Sequence, residues 1–351
     1  MKNIKLSIIL PIYNVESYLR KCISSVLNQT LQNIEVILAT DGPDSCDAIC
    51  SEFAAKDNRV KVIWHPGSYG KACNQGMNMA TGEYIGFVET DDWCHPQMFE
   101  KLYAAAKAYD ADVCKGGFFD AYDDAKKNRT RLFYPETKSF HIAEHPDLLA
   151  FQPSIWSGIY KSSFIKKNSI YMIEDRMPFI DGPFHMEALL RADVVANVAE
   201  PLYYYYHDNP NQSVQNEKAS FAGLKAEEIF YSKNPLGSIE DATLRAHTFR
   251  ATLAHLQWDY ERLTSEEMKS EFKSKMKEFF DSLPMHTVDS SFIEEWRWSN
   301  YLYYHGKFAS PPQRKPEYKN FWERIFYVKN RDGFKVVNIL GWKIKTARKK
   351  K

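Results

Sequence analysis

Three carboxylates fall within four residues, Glu89, Asp91 and Asp92, directly after the apolar run 84–88. Like charges this close repel and raise one another's pKa, so the cluster is costly unless something offsets it. A hard divalent cation, Mg2+ or Mn2+, prefers carboxylate oxygens and would relieve the repulsion. An acidic, solvated turn is the alternative. The place suits a site, because ligands of open α/β sheets bind at the carboxyl ends of strands.

The elements that position this cluster are legible around it. Short apolar runs of strand length lie at 6–12, 34–39, 60–64, 84–88 and 112–114. Helical patterns separate them. Val15, Tyr18, Leu19, Cys22, Ile23, Val26 and Leu27 keep to one helix face, and a further helix is expected from Pro96 through Ala106. Alternating strands and helices of this kind predict an α/β fold with a mostly parallel central sheet covered on both faces. Beyond residue 115 the alternation loosens: 120–131 reads as a charged loop, 178–191 as a helix, and 218–283 as mostly helical, with Phe249, Leu253, Leu256 and Tyr260 spaced for burial. The chain therefore divides into an alternating part (1–115), a looser part (116–215), a helical extension (216–310) and a distinct tail (311–351).

Composition narrows the function classes. With 44% hydrophobic and 26% charged residues the chain reads as an ordinary soluble protein, and a net charge of +1 provides no field to attract nucleic acid. The six cysteines sit in the first third, and the Cys46–Cys50 spacing lacks the second pair or histidines of a zinc site. Reduced thiols are expected. Leu6–Leu10 is too short for a signal peptide and Pro11 ends it, while no run approaches the ~18 apolar residues of a bilayer span. The body is expected on the cytoplasmic side.

The tail differs. From Arg324 to Lys351 ten Lys or Arg residues face one acid, Asp332, interleaved with aliphatics and Trp342. That pattern suits an anionic membrane surface, at about 1 kcal/mol per basic residue, or equally a small β-hairpin with a solvated Lys349-Lys350-Lys351 end.

Several motifs in register carry a family resemblance. Leu6-Ser-Ile-Ile-Leu-Pro-Ile-Tyr-Asn14, Ser24-Ser-Val-Leu-Asn-Gln-Thr30, 34–42, 67–76, Gly82-Glu-Tyr-Ile85, Asp91-Asp92-Trp93, Ile155-Trp-Ser-Gly-Ile-Tyr-Lys161, Asp181-Gly-Pro-Phe184 and 201–206 together resemble the family 2 glycosyltransferases of GT-A (Rossmann-like) fold. The tail's Ile339-Leu-Gly-Trp-Lys-Ile344 is similar to the endings of bacterial surface-polysaccharide transferases.

The resemblance implies inverting transfer of a sugar from a nucleotide-sugar, usually UDP-linked, to a hydroxyl of a glycan or lipid-linked glycan, with a divalent metal. It makes 1–215 the glycosyltransferase domain, with 1–115 its nucleotide-binding half and 116–215 its acceptor half, and places Pro11, Tyr13, Asn14, Asp41, Lys71, Asn74, Glu89, Thr90 and Asp91 around the donor, Asp41 against uracil. Asp91 becomes the foremost metal ligand, then Asp92 and Glu89. Glu89 stands where the family usually has Asp, and its extra methylene shifts the oxygens by roughly 1.5 Å. The base is Asp181, with Glu174 and Asp175 as runners-up, and Ile180 replaces the family's usual Glu beside it. A carboxylate among apolar neighbours has its pKa raised, which suits a base for a sugar hydroxyl; a helix cap is the structural alternative. Trp156 and His207 are the acceptor-side candidates, and the Tyr203–Tyr206 block is an aromatic platform for sugar faces or, for most of its rings, core. The competing classes are a nucleotidyltransferase and a non-catalytic nucleotide-sugar or glycan-binding module.

Overall fold

The computed structural model describes residues 4–42, 45–212 and 217–305, together with the backbone of three strands between 326 and 347. The chain falls into two compact units, Met1–Arg297 and Trp298–Lys351. In the first, β1 (Leu6–Ile12), α1 (Glu16–Leu27), β2 (Ile34–Thr40), α2 (Ser45–Lys56), β3 (Val60–Trp64), α3 (Tyr69–Met79) and β4 (Tyr84–Phe87) alternate as the apolar periodicity predicts. Every residue of β1, β2 and β4 is buried, because helices cover both faces. Strand order β3-β2-β1-β4 is parallel throughout.

The second half of the sheet is mixed. It holds β5 (Trp93–Cys94), β6 (Val113–Ala121), β7 (Arg129–Arg131), β8 (Lys138–Phe140), β9 (Gly158–Lys161) and β10 (Val195–Tyr206), with α4 (Met98–Ala108), α5 (Ser162–Asn168) and α6 (Asp181–Arg191) between them. β9 is antiparallel to both β4 and β6 and joins the two halves, while the long β6–β10 ladder is parallel. Most of the ladder length is thus parallel, within one ten-stranded sheet.

Three expectations need correction. The strand expected over 112–114 continues to Ala121, so Asp120 lies on a strand and the loop over 120–131 shortens; β7 pairs back at Phe118↔Arg131. Lys115-Gly116-Gly117 hides this continuation, since a lysine and two glycines end an apolar run. Gly117 is needed there: a Cβ would stand 2.5 Å from the Arg131 carbonyl. The helix expected from Pro96 starts at Met98, after a turn in which Met98 N–H donates to the His95 carbonyl at 2.9 Å. The helix expected from 178 starts at Asp181, because Phe179 adopts φ +64°, a left-handed conformation that no α-helix continues through.

The helical extension forms α7 (Ser220–Lys233), α8 (Ala242–Arg262) and α9 (Glu266–Ser282), with Phe249, Leu253 and Leu256 fully buried. Asp241 and Ser265 cap α8 and α9 by accepting the Leu244 and Met268 N–H groups. This extension belongs to the same compact unit as the sheet. α10 (Glu295–Tyr304) follows, and β11 (Phe326–Arg331), β12 (Phe334–Ile339) and β13 (Trp342–Ala347) make a separate three-stranded antiparallel sheet. The expected membrane contact of the tail rests on side chains outside the described residues. All six cysteines are buried and none forms a disulfide. Among the described residues no helix is long and apolar enough to cross a membrane.

Candidate active site at the strand ends

β1 and β4 are neighbours, so their carboxyl ends carry the first groups of the site side by side. Thr90 Oγ1 donates to the Pro11 carbonyl at 3.0 Å, fastening the acidic turn to the end of β1. Beyond it Tyr13 is 67% exposed and Asn14 sits at φ +52°, which opens the chain end toward solvent. The expected donor residues Pro11, Tyr13, Asn14, Glu89, Thr90 and Asp91 therefore lie on these two adjacent strand ends.

The three carboxylates diverge. Asp92 is buried, with Oδ2 accepting the Tyr203 hydroxyl at 2.8 Å and Oδ1 accepting the Tyr206 N–H at 2.7 Å. Glu89 and Asp91 stay half-buried. Glu89 Oε1 accepts the Tyr69 hydroxyl at 2.5 Å, and Asp91 Oδ2 accepts Asn209 Nδ2 at 2.8 Å. Among the described residues no group of three or more His, Cys, Asp or Glu side chains converges on an ion. Asp92 is engaged by β10 at the strand end, while Glu89 and Asp91 keep part of their surface open. These two fit a hard cation that takes its remaining ligands from phosphate oxygens and water, as Mg2+ commonly does.

Electrostatics single out the same groups. Burial raises Glu89 to about 8, with Asp91 and Asp181 adding repulsion against the Tyr69 hydrogen bond. Burial also raises Asp91. Asp181, the first residue of α6, is raised to about 6 by burial, held back by the N–H groups of its own residue and Gly182 and by the positive His255 and Lys115. Burial pushes the Tyr205 hydroxyl well up, with Asp92, Asp91, Asp181 and Glu89 all contributing. The charges of Asp91 and of the base candidate Asp181 are thus both felt at Glu89.

A second wall comes from the loop before α3. Ser68 caps this helix by accepting the Lys71 N–H, and Gly67 at φ +97° turns the chain into it. Asp41, at the end of β2, accepts the Gly67 N–H at 2.8 Å and has Arg176 at 3.6 Å. Lys71 is exposed at the helix start. Asn74 is committed otherwise than expected: its amide donates to Met172 O and Glu174 Oε1, each at 3.0 Å, and accepts the Met172 N–H at 2.9 Å. It clamps the 172–174 segment that leads to Asp181. Gly70 packs under the same segment, where a Cβ would lie 1.8 Å from the Ile173 carbonyl. The runner-up bases are occupied elsewhere, Glu174 by Asn74 and the exposed Asp175 by Lys225 at 2.9 Å.

The aromatic candidates separate by strand alternation. Tyr203 and Tyr205 stack on Trp156, at 4.4 and 5.2 Å between centroids, while Tyr204 faces the other side and stacks on Trp93 and Phe119. Trp156 is only 4% exposed, so its ring is part of the core stack and offers no open platform. His207 pairs with Asp120 at 3.0 Å and stacks on Tyr122.

Sequence reasoning missed Tyr69 and Asn209, whose partners lie 20 and 118 residues away. It also missed Lys115, fully buried and lowered to about 7 by burial, with Nζ donating to the Ser154 carbonyl. A lysine inside the run Val113-Cys114-Lys115 was the available signal for it.

Comparison with known proteins agrees with this architecture. The model of the family described as "Glycosyl transferase family 2" matches residues 7–170. Glycosyltransferase GlyG of Streptococcus pneumoniae serotype 4 is 30% identical over 79% of this chain and 96% of its own length. The chain belongs to glycosyl transferase family 2. The uncharacterized glycosyltransferase EpsJ of Bacillus subtilis is 33% identical over 58% of this chain, a match that spans 61% of EpsJ. Among solved structures, S. aureus TarS 1-349 in complex with UDP-GlcNAc superposes with a TM-score of 0.72 at 17% identity, covering 97% of this chain and 98% of that one. At that identity the likeness concerns the fold, and it confirms the GT-A class for this family 2 chain.

Proposed function

We propose that this family 2 protein transfers a sugar with inversion from a nucleotide-sugar, UDP-linked, to a hydroxyl of a glycan or lipid-linked glycan in bacterial surface-polysaccharide synthesis. The observation that carries the reading is Asp181: a carboxylate at the start of α6 raised to about 6, whose charge is felt at Glu89. A base must be ionised at working pH yet retain proton affinity, and this value satisfies both demands. The UDP-GlcNAc bound by TarS supports a UDP-sugar donor, and the printed name of GgaB of B. subtilis, a minor teichoic acid biosynthesis protein 28% identical over 68% of this chain, supports a surface-glycan pathway.

In this reading the donor lies along the ends of β1, β2 and β4, with Asp41 beside the base ring and the N-terminus of α3, bearing Lys71, near its phosphates. Glu89 and Asp91 would hold a divalent cation, Mn2+ or Mg2+, which when bound neutralises charge on the departing diphosphate. Asp181 accepts the proton of the acceptor hydroxyl as its oxygen bonds to the anomeric carbon. The bond from that carbon to the diphosphate oxygen breaks, and UDP leaves with the electron pair. The basic tail adds contact with an anionic membrane at its inner face, which vesicle co-sedimentation at low and high salt would check.

The test is UDP release from UDP-GlcNAc, UDP-glucose and UDP-galactose in the presence of Mn2+, with water as a slow acceptor. One donor should exceed the others, and Asp181→Asn should abolish release. Pyrophosphate release from nucleoside triphosphates would instead select a nucleotidyltransferase. UDP binding with no turnover of any donor would select a binding module.

A further inference from the structure

A sugar hydroxyl that gives its proton to Asp181 must come within hydrogen-bond reach of that carboxylate, so the ring bearing it must rest on the surface next to it. Two residues before Asp181, Phe179 holds φ +64°, a costly conformation for an aromatic residue and one that tends to persist at ligand sites. Its ring makes a T-shaped pair with that of Trp258 from α8, at 5.9 Å between centroids and an interplanar angle of 82°. Trp258 is 47% exposed, unlike Trp156 at 4%.

The exposed indole is also held in place. The Arg262 guanidinium lies 4.3 Å from the centre of the Trp258 ring and 5.5 Å from that of Phe179. Arg262 in turn pairs at 3.5 Å with the buried Asp259. With Arg262 against the indole and nearly half of Trp258 still in solvent, the two aromatic rings make a fixed shelf that joins the chain two residues before the base. Rigid aromatic surface of this kind binds at low conformational cost, and the C–H face of a pyranose is the ligand that stacks on an indole while its hydroxyls remain available to polar partners.

We infer that Trp258 and Phe179 form the stacking subsite for a pyranose ring of the acceptor, so that the C-terminal helices contribute acceptor selection to a donor site built by the sheet. The inference rests on the transferase reading above, and its test separates the two. Ligand-observed NMR titrations would use the full chain saturated with UDP and Mn2+. The probes are methyl β-D-glucopyranoside, methyl β-D-galactopyranoside and methyl N-acetyl-β-D-glucosaminide. At least one should bind the unmodified protein. Trp258→Ala and Phe179→Ala should each weaken it roughly five- to tenfold, Trp258→Phe should restore most of the affinity, and UDP affinity should stay within about twofold in all three. Equal glycoside binding by the unmodified protein and both alanine variants, or no glycoside binding by the UDP-bound protein, would overturn the shelf alone. Failure of the unmodified protein to bind UDP would remove the donor site, and the shelf with it.

Discussion

Tyr203 donates its hydroxyl to Asp92 Oδ2 at 2.8 Å while accepting the Glu89 N–H at 3.0 Å. One phenol therefore spaces the two ends of the acidic turn and turns Asp92 inward, leaving Glu89 and Asp91 to face the site. Replacing Tyr203 with Phe leaves the Glu89 N–H without this acceptor and Asp92 without this donor. Stability should fall by about 1–3 kcal/mol, measurable by urea denaturation, and Mn2+-dependent stabilisation should weaken because the turn carrying Glu89 and Asp91 is no longer fastened to β10 through this hydroxyl.

Asp91→Asn removes one of the two outward carboxylates without changing side-chain size. Thermal shifts with UDP alone should match those of the unmodified protein, whereas the additional shift given by Mn2+ should vanish. Retention of that increment would show that Asp91 does not hold the ion.

Asp181 sets a pH dependence. Its carboxyl is raised to about 6, and the base form exists above that value. Turnover should therefore climb as pH rises through about 6 and level off above it. Asp181→Asn should lower turnover at neutral pH by at least about 100-fold with UDP affinity unchanged.

Glu35 governs stability far from the chemistry. Burial opposes its charge, but the Lys61 ammonium at 2.5 Å, the Ser7 hydroxyl and the Thr81 N–H and hydroxyl together lower it from 4.5 to about 2. Its folded pKa is depressed, so its stabilisation is present above about 4.5 and is lost as pH falls toward 2. Glu35→Gln should destabilise the protein at pH 7 by on the order of 2–3 kcal/mol, with the difference from the unmodified protein shrinking below pH 4.

Gly70 tests the clamp under the Asp181 segment. A Cβ there would meet the Ile173 carbonyl at 1.8 Å, so Gly70→Ala must displace residues 172–174. Turnover should fall more than UDP affinity, and protease sensitivity should rise within 171–180.

The local content of the sequence determined much of this. Apolar runs bounded by helical periodicity yielded the β1–β4 half of the sheet and α1, because burial on both faces leaves a pattern within a few consecutive residues. The motif series led to the family and to residues at the strand ends, since a strand, its turn and the next helix are contiguous in the chain. What tertiary structure decided lies between distant residues. Asp92 turns inward because Tyr203 and Tyr206 from β10 reach it, Asn74 serves the 172–174 segment rather than open space, and Trp156 disappears into a stack with Tyr203 and Tyr205. β6 runs on through Lys115-Gly116-Gly117 because neighbouring strands accept a buried lysine and require small residues. Trp258 comes to lie beside Phe179 only after α8 has packed against the sheet domain. A carboxylate's direction and an aromatic ring's exposure depend on partners about a hundred residues away, and periodicity within a helix or strand carries no record of them.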